Sequence, residues 1–155
     1  MDTQRLKNAV RYFEDEPLRL DMDDWVRVSN NPDMHDPPCG TVACMAGSAI
    51  VLQAKERGVE IMSLYQDIKY GQPVHDDLHS RQSLHDFGKE FYDLTEEQAK
   101  VLFYTGRWPQ PYQRLYLQLS RDFSRCNHPH VLKHIKKAMV YVLEERVHLL
   151  INTGE

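Results

Sequence analysis

A chain of 155 residues, 41% apolar and 27% charged, has the length and make-up of one ordinary globular domain and is too short for two. Its formal charge of -4 lacks the basic surplus with which nucleic-acid binders neutralise phosphates, so a nucleic-acid partner is not expected. The longest small and apolar run, Val42 to Leu52, has 11 residues where a bilayer span needs about 20, so no membrane association is expected either.

The chain opens on Met1-Asp2-Thr3-Gln4-Arg5 and runs straight into a helical pattern, without the apolar core of a secretory signal. Three cysteines, an odd number in a chain long enough to need no staples, point to the cytoplasm.

Asp2 or Thr3 can cap a first helix, with Leu6, Val10 and Phe13 on one face. Pro17 ends it. Leu18 to Val28 sets Leu20, Met22, Trp25 and Val26 among acidic residues and reads as a short helix. Asn30-Asn31-Pro32 and Pro37-Pro38 make Ser29 to Pro38 a loop. Thr41 is then an N-cap and Gly58 a C-terminal stop for a helix over about 41–57. Small and apolar residues surround its first three turns, the pattern of a buried helix. Ala46, Gly47, Ser48 and Ala49 would let neighbouring helices approach closely.

Further on, Ile61, Leu64, Tyr65 and Ile68 have helical spacing before Gly71 and Pro73 break the chain. A helix over about 83–92 follows. Thr95 with Gln98 forms a capping box, stapled by Leu94, for a helix stopped at Gly106. Pro111 suits a first helical turn, with Tyr112, Leu115 and Leu119 facing inward. Asn127 or His128 starts the longest helix, along which Val131, Ile135, Ala138, Met139, Val142, Leu143, Leu149 and Leu150 repeat with a period near 3.6. No segment alternates as a strand does. The expected fold is all-α: one compact domain of five to seven helices around a buried central helix.

The run Cys39-Gly40-Thr41-Val42-Ala43-Cys44-Met45-Ala46-Gly47-Ser48-Ala49 resembles a motif of small bacterial and phage proteins with no assigned function. In those proteins Cys-Gly-Thr, a second Cys and a following Gly open a buried helix. Leu20-Asp21-Met22 with Trp25, and Phe91 to Phe103 with Trp108-Pro109, match as well, so the likeness covers roughly residues 18 to 110. Ser48 departs from it, standing where His or Trp is more usual. The resemblance implies an α-helical fold and a bacterial or phage origin; it implies no activity.

Cys39 is the sharpest chemical candidate. A thiol just before a helix N-terminus is favoured as thiolate, and the amides of Gly40, Thr41 and Val42 would cradle an oxyanion or phosphate. His35 lies four residues upstream as a base. The bland alternative is a small apolar thiol closing a tight turn. Cys44 reads as core, and a Cys39–Cys44 disulfide as a conceivable redox switch. Two sets offer zinc three ligands each, His35 with Cys39 and Cys44, and Cys126 with His128 and His130; neither has paired spacing, so no metal or other cofactor is assigned. His75 and His79, spaced i, i+4 around Asp76 and Asp77, lack the zincin Glu and read as a polar loop. His128, His130, Lys133, His134, Lys136 and Lys137 read as a solvated basic face. Trp25 and Trp108, with Tyr104 and Tyr112, would line a ligand pocket if they are not core.

The reading this supports is a non-enzymatic binding protein, taking a protein or a small, anionic ligand near the 31–41 loop and the helix start behind it. The alternatives are a thiol-dependent hydrolase or transferase using Cys39 and a His base, and a small zinc-stabilised domain.

Overall fold

The computed structural model describes residues 1–29, 31–58, 60 and 84–155. The expected helical spacing of Ile61 to Ile68, the breaks at Gly71 and Pro73, and the His75/His79 pair lie outside these residues. Six α-helices are described: α1 (Thr3–Asp15), α2 (Met45–Arg57), α3 (Leu84–Phe91), α4 (Glu96–Phe103), α5 (Tyr112–Arg125) and α6 (Pro129–Thr153). The chain is therefore mostly α-helical, as expected. Among the described residues no helix is long and apolar enough to cross a membrane.

One correction to the all-α expectation is a pair of short antiparallel strands, β1 (Val26–Val28) and β2 (Thr41–Ala43), in the register Val26↔Ala43, Arg27↔Val42, Val28↔Thr41. Three residues are too few to display a period of two, and all of β2 is buried, so no alternation was there to be seen. The expected short helix over Leu18–Val28 is likewise replaced by one 3-10 turn, Pro17–Arg19, and β1. The Asp21 carboxylate accepts from the Asp23 amide at 2.9 Å, the local bond by which Asp diverts a chain from helix to turn.

Local capping chemistry places most helix ends. The Asp2 carboxylate accepts from the Arg5 amide at 3.0 Å to begin α1, which buries Leu6, Ala9, Val10 and Phe13. Thr95 and Gln98 exchange capping-box bonds of 3.2 and 3.0 Å at α4. Gly58, left-handed at φ +67°, turns its amide back onto Ala54 and Lys55 to stop α2. His128 occupies the N-cap position of α6 without a side-chain cap bond, and Pro129 in the first turn sets the helix start. On α5 the inward stripe is Tyr112, Tyr116, Leu119 and Phe123; Leu115 is exposed. On α6 Met139, Val142, Leu143 and Leu150 are buried as expected, while at the helix start Leu132 is buried and Val131 is exposed.

The start of α2 departs most from expectation. It begins at Met45, not near Thr41, and its N-cap is Cys44, whose Sγ accepts from the Gly47 amide at 3.3 Å. The Cys44 amide in turn donates to the carbonyls of Asp24 and Trp25 at 2.8 and 3.3 Å. Pairing with β1 holds Thr41 extended, and so delays the helix by one strand. From Met45 to Val51 every residue is buried.

Two glycines let this region close. A Cβ at Gly47 would lie 1.5 Å from the Trp25 carbonyl oxygen. A Cβ at Gly88 of α3 would meet the Ala46 backbone at 3.1 Å. The small residues at the head of α2 thus accept backbone on both sides, a strand segment on one and a helix on the other.

Arg146 is the largest fully buried side chain. Its Nε and Nη2 donate to the Val101 carbonyl at 3.2 and 3.0 Å, and Nη2 also donates to the main-chain oxygen of Glu155. Val101 lies in the last turn of α4, where unpaired carbonyls and the helix dipole favour a cation, and Glu155 follows the α6 C-cap Gly154.

Gly47→Ala should cost about 3 kcal/mol or more in urea denaturation, because backbone must move, while Gly106→Ala, with open space around it, should leave the midpoint unchanged. Arg146→Met should cost about 2–3 kcal/mol by stranding buried carbonyls, measured the same way.

Candidate functional site

The segment joining β1 to β2 is held by its own polar residues. Arg27 bridges the Asp24 and Asp36 carboxylates at 3.1 and 3.0 Å, tying the loop to β1. The Asp33 carboxylate accepts from the His35 amide at 2.8 Å. Gly40 closes the turn after Pro37-Pro38-Cys39: its amide donates to Pro37, and its carbonyl accepts from the Ser29 amide, both at 2.8 Å. Its φ is +76°, and a Cβ there would stand 2.3 Å from the Ser29 oxygen, so only glycine fits.

This loop carries His35 to the end of α5. Its Nε2 lies 3.2 Å from the Cys126 carbonyl, its Nδ1 lies 3.6 Å from the Asp33 carboxylate, and its ring stands edge-on to Phe123 at 5.4 Å. Cys39 is exposed, and its Sγ has one polar neighbour recorded, the Thr41 carbonyl at 4.0 Å. Among the described residues no hydrogen bond joins Cys39 to His35; both imidazole nitrogens face other groups. The amides proposed as an anion cradle are also displaced from a helix start. Thr41 and Val42 are buried in β2, the Gly40 amide is spent on Pro37, and the helix opens four residues later under Met22, whose Sδ meets the Met45 amide at 3.4 Å.

Cys44 is buried, and burial pushes its thiol up to about 11. All three cysteines are free, so Cys39 and Cys44 form no disulfide. Trp25 and Trp108 have different surroundings. Trp108 is core: its Nε1 donates to the Leu102 carbonyl at 2.9 Å and its ring packs on Tyr116 at 5.1 Å. Trp25 is partly exposed and meets Tyr104 edge-on at 6.2 Å. Neither zinc set converges among the described residues. The potential ligand atoms that do converge, within 4.8 Å, belong to His85, Asp86 and Glu96. There the Glu96 carboxylate takes Lys89 at 3.0 Å and His85 Nε2 at 2.9 Å, while His85 Nδ1 meets the Tyr104 hydroxyl at 2.9 Å. Lys89 first, then His85, holds the Glu96 carboxyl below its usual range. Its charge is matched within the cluster.

What the loop does border is a cleft of about 360 Å³, walled by His35, Val42, Asp21, Asp23, Ser120, Ser124 and Lys136. Lys136 is its unusual member. The side chain is buried, with 4% of its surface exposed. Its Nζ donates to the Leu20 carbonyl and lies 4.4 Å from the Phe123 ring centroid. Among the described residues no carboxylate comes within ion-pair distance. Burial lowers the amine from 10.5 to about 8, against the opposing pull of Asp21 and Asp23. Burial also raises the Asp21 carboxyl above its usual value. A buried amine and a half-buried carboxyl, each pushed toward neutrality on one cleft wall, are the arrangement in which functional groups concentrate.

The sequence reading missed Lys136 by grouping it with Lys133 and Lys137, which are exposed. A signal was present: Lys136 lies four residues after Leu132 and four before Val140, on the buried stripe of α6.

The Lys136 amine loses its proton near pH 8 in the folded chain and near 10.5 when unfolded. Between these values the unfolded state holds more protons, so the folded state gains stability as pH rises. The stability difference between wild type and Lys136→Met should therefore move toward wild type from pH 8 to 10.5 and be flat below 7. A difference flat throughout would mean an ordinary solvated amine. Comparison of the chain with protein-family models, with curated proteins and with solved structures finds no match.

Proposed function

We propose that this chain is a non-enzymatic binding protein whose cleft beside the 31–41 loop takes a small polar ligand. The observation that carries the reading is Lys136: a buried amine on a cleft wall, with no carboxylate within ion-pair distance among the described residues, is costly to the fold, and a ligand that supplies an acceptor offsets that cost. Asp21, Asp23, Ser120 and Ser124, which line the same cleft, ask for donors. A molecule with an anionic end and an amino or hydroxyl end, such as an amino acid or a hydroxy acid, matches both.

The reading extends to architecture and setting. We take α2 as the element around which one compact domain is organised, supported by its burial from Met45 to Val51 and the backbone approaches at Gly47 and Gly88. A cytoplasmic location, and an origin among bacterial or phage proteins, rest on the free cysteines and on the Cys-Gly-Thr motif. The thiol-enzyme alternative draws no support from the surroundings of Cys39.

The test is native against denatured intact mass of protein purified from its host, followed by thermal shift with free amino acids and hydroxy acids at millimolar concentration. A retained small mass, or a midpoint raised by one of these, is expected. At a ligand concentration of 100 Kd the gain is about 2.7 kcal/mol. Asp23→Asn, at an exposed side chain, should abolish the shift without moving the unliganded midpoint. Equal masses together with no shift from any compound would end the reading.

A further inference from the structure

A second cleft, of about 390 Å³, lies between α1 and α2. Four cations line it, Arg5, Arg11, Arg19 and Lys55, against two carboxylates, Asp15 and Glu56. The balance is more one-sided than that count. Arg5 pairs with Glu56 at 3.3 Å. Among the described residues no carboxylate pairs with Arg11, Arg19 or Lys55, so three cations face Asp15 in a chain whose formal charge is -4. Glu16, near Arg19 in sequence, is not part of the lining.

Two of the guanidinium groups are already held in place. Arg19 lies 4.5 Å from the Tyr12 ring centroid and donates through Nη1 to the Tyr12 carbonyl at 2.9 Å. Arg5 lies 4.1 Å from the Phe91 centroid and donates through Nη1 to the Phe91 carbonyl at 2.9 Å. Each arginine is thus stacked on a ring and tethered to main chain, which removes much of the rotamer entropy a ligand would otherwise have to freeze. Arg19 also keeps a buried Nε without a partner. Asn8 lines the cleft with its Oδ1 already taken by Gln4 at 2.9 Å, which leaves its amide as donor.

We propose that this cleft is an anion site for a small multivalent phosphate compound of the diphosphate class. Arg11, Arg19 and Lys55 supply charge, and Asn8 a neutral hydrogen bond. Arginine's planar fork matches phosphate oxygens, and like charges gathered around a cleft are relieved by an anion of more than one charge. A cleft between two helices admits a soluble anion more readily than a flat bilayer, so a free phosphate compound is the occupant.

The test is isothermal titration of the full chain with pyrophosphate, at low salt and at tenfold higher salt, in wild type and in the double variant Arg11→Gln, Lys55→Gln. Both side chains are exposed, so the unliganded thermal midpoint should not move. One-to-one saturable binding is expected, weaker at high salt and weaker by ~10-fold or more in the double variant. Asp23→Asn should bind pyrophosphate as wild type does, which separates this site from the Lys136 cleft. Absence of saturable binding, or equal binding by the double variant, would overturn the proposal. So would binding to anionic phosphatidylglycerol vesicles that pyrophosphate does not compete away, which would indicate a membrane surface instead.

Discussion

The carbonyl oxygen of Trp25 stands where any side chain at residue 47 would be. Much else follows from that approach. It brings β1 across the head of α2, so that the carbonyls of Asp24 and Trp25 take the Cys44 amide. Cys44 is then placed to cap the helix through sulfur. β2 must pair with β1 before α2 can begin, and the segment between the strands is closed into a loop by Gly40 against Ser29. α3 packs on the neighbouring face through Gly88 and Ala46. The position of His35, within that loop and against the end of α5, is therefore a consequence of a contact made by a residue with no side chain.

Two buried cations on α6 illustrate how differently a fold can treat charge. Arg146 donates to the Val101 carbonyl in the last turn of α4 and to the main-chain oxygen of Glu155, beyond the α6 C-cap. Its Nε and Nη2 are satisfied within the chain, while the buried Nη1 has no hydrogen-bond partner among the described residues. Lys136 donates to the Leu20 carbonyl and faces an aromatic ring, but among the described residues no carboxylate lies within ion-pair distance of it. Its amine is correspondingly pushed toward neutrality, and it sits on the wall of a cleft. The same principle, that buried charge must be matched, accounts for the carbonyls gathered around the one and for the amine of the other being pushed toward neutrality.

The polar clusters sort in the same way. In the network of His85, Lys89, Glu96 and Tyr104 the Glu96 carboxylate accepts from Lys89 and meets His85, whose other ring nitrogen meets the Tyr104 hydroxyl, which explains its geometry without an added ion. Arg27 is matched by two carboxylates and serves to hold the loop. The α1–α2 cleft keeps cations in excess. Lys136 in its cleft, and Arg11, Arg19 and Lys55 in the α1–α2 cleft, stand without an ion-pair partner among the described residues.

Read from sequence alone, the chain's helical character, the caps at Asp2, Thr95 with Gln98, Gly58 and His128, and the placement of a loop before a buried helix were legible. Each depends on a few neighbouring residues, and short-range hydrogen bonding is settled by those neighbours wherever the segment lies. His35 and Val42 were singled out and do border the Lys136 cleft, because a proline-bounded loop is visible as such. The strand pair, the delayed start of α2 and the separation of Trp25 from Trp108 were not legible, since each is set by a partner distant in sequence. Lys136 and Asp21 were missed for the same reason. A lysine is charged and solvated by default, and only the packing of α6 against residues over a hundred positions earlier decides that this one is buried, desolvated and turned to a cleft.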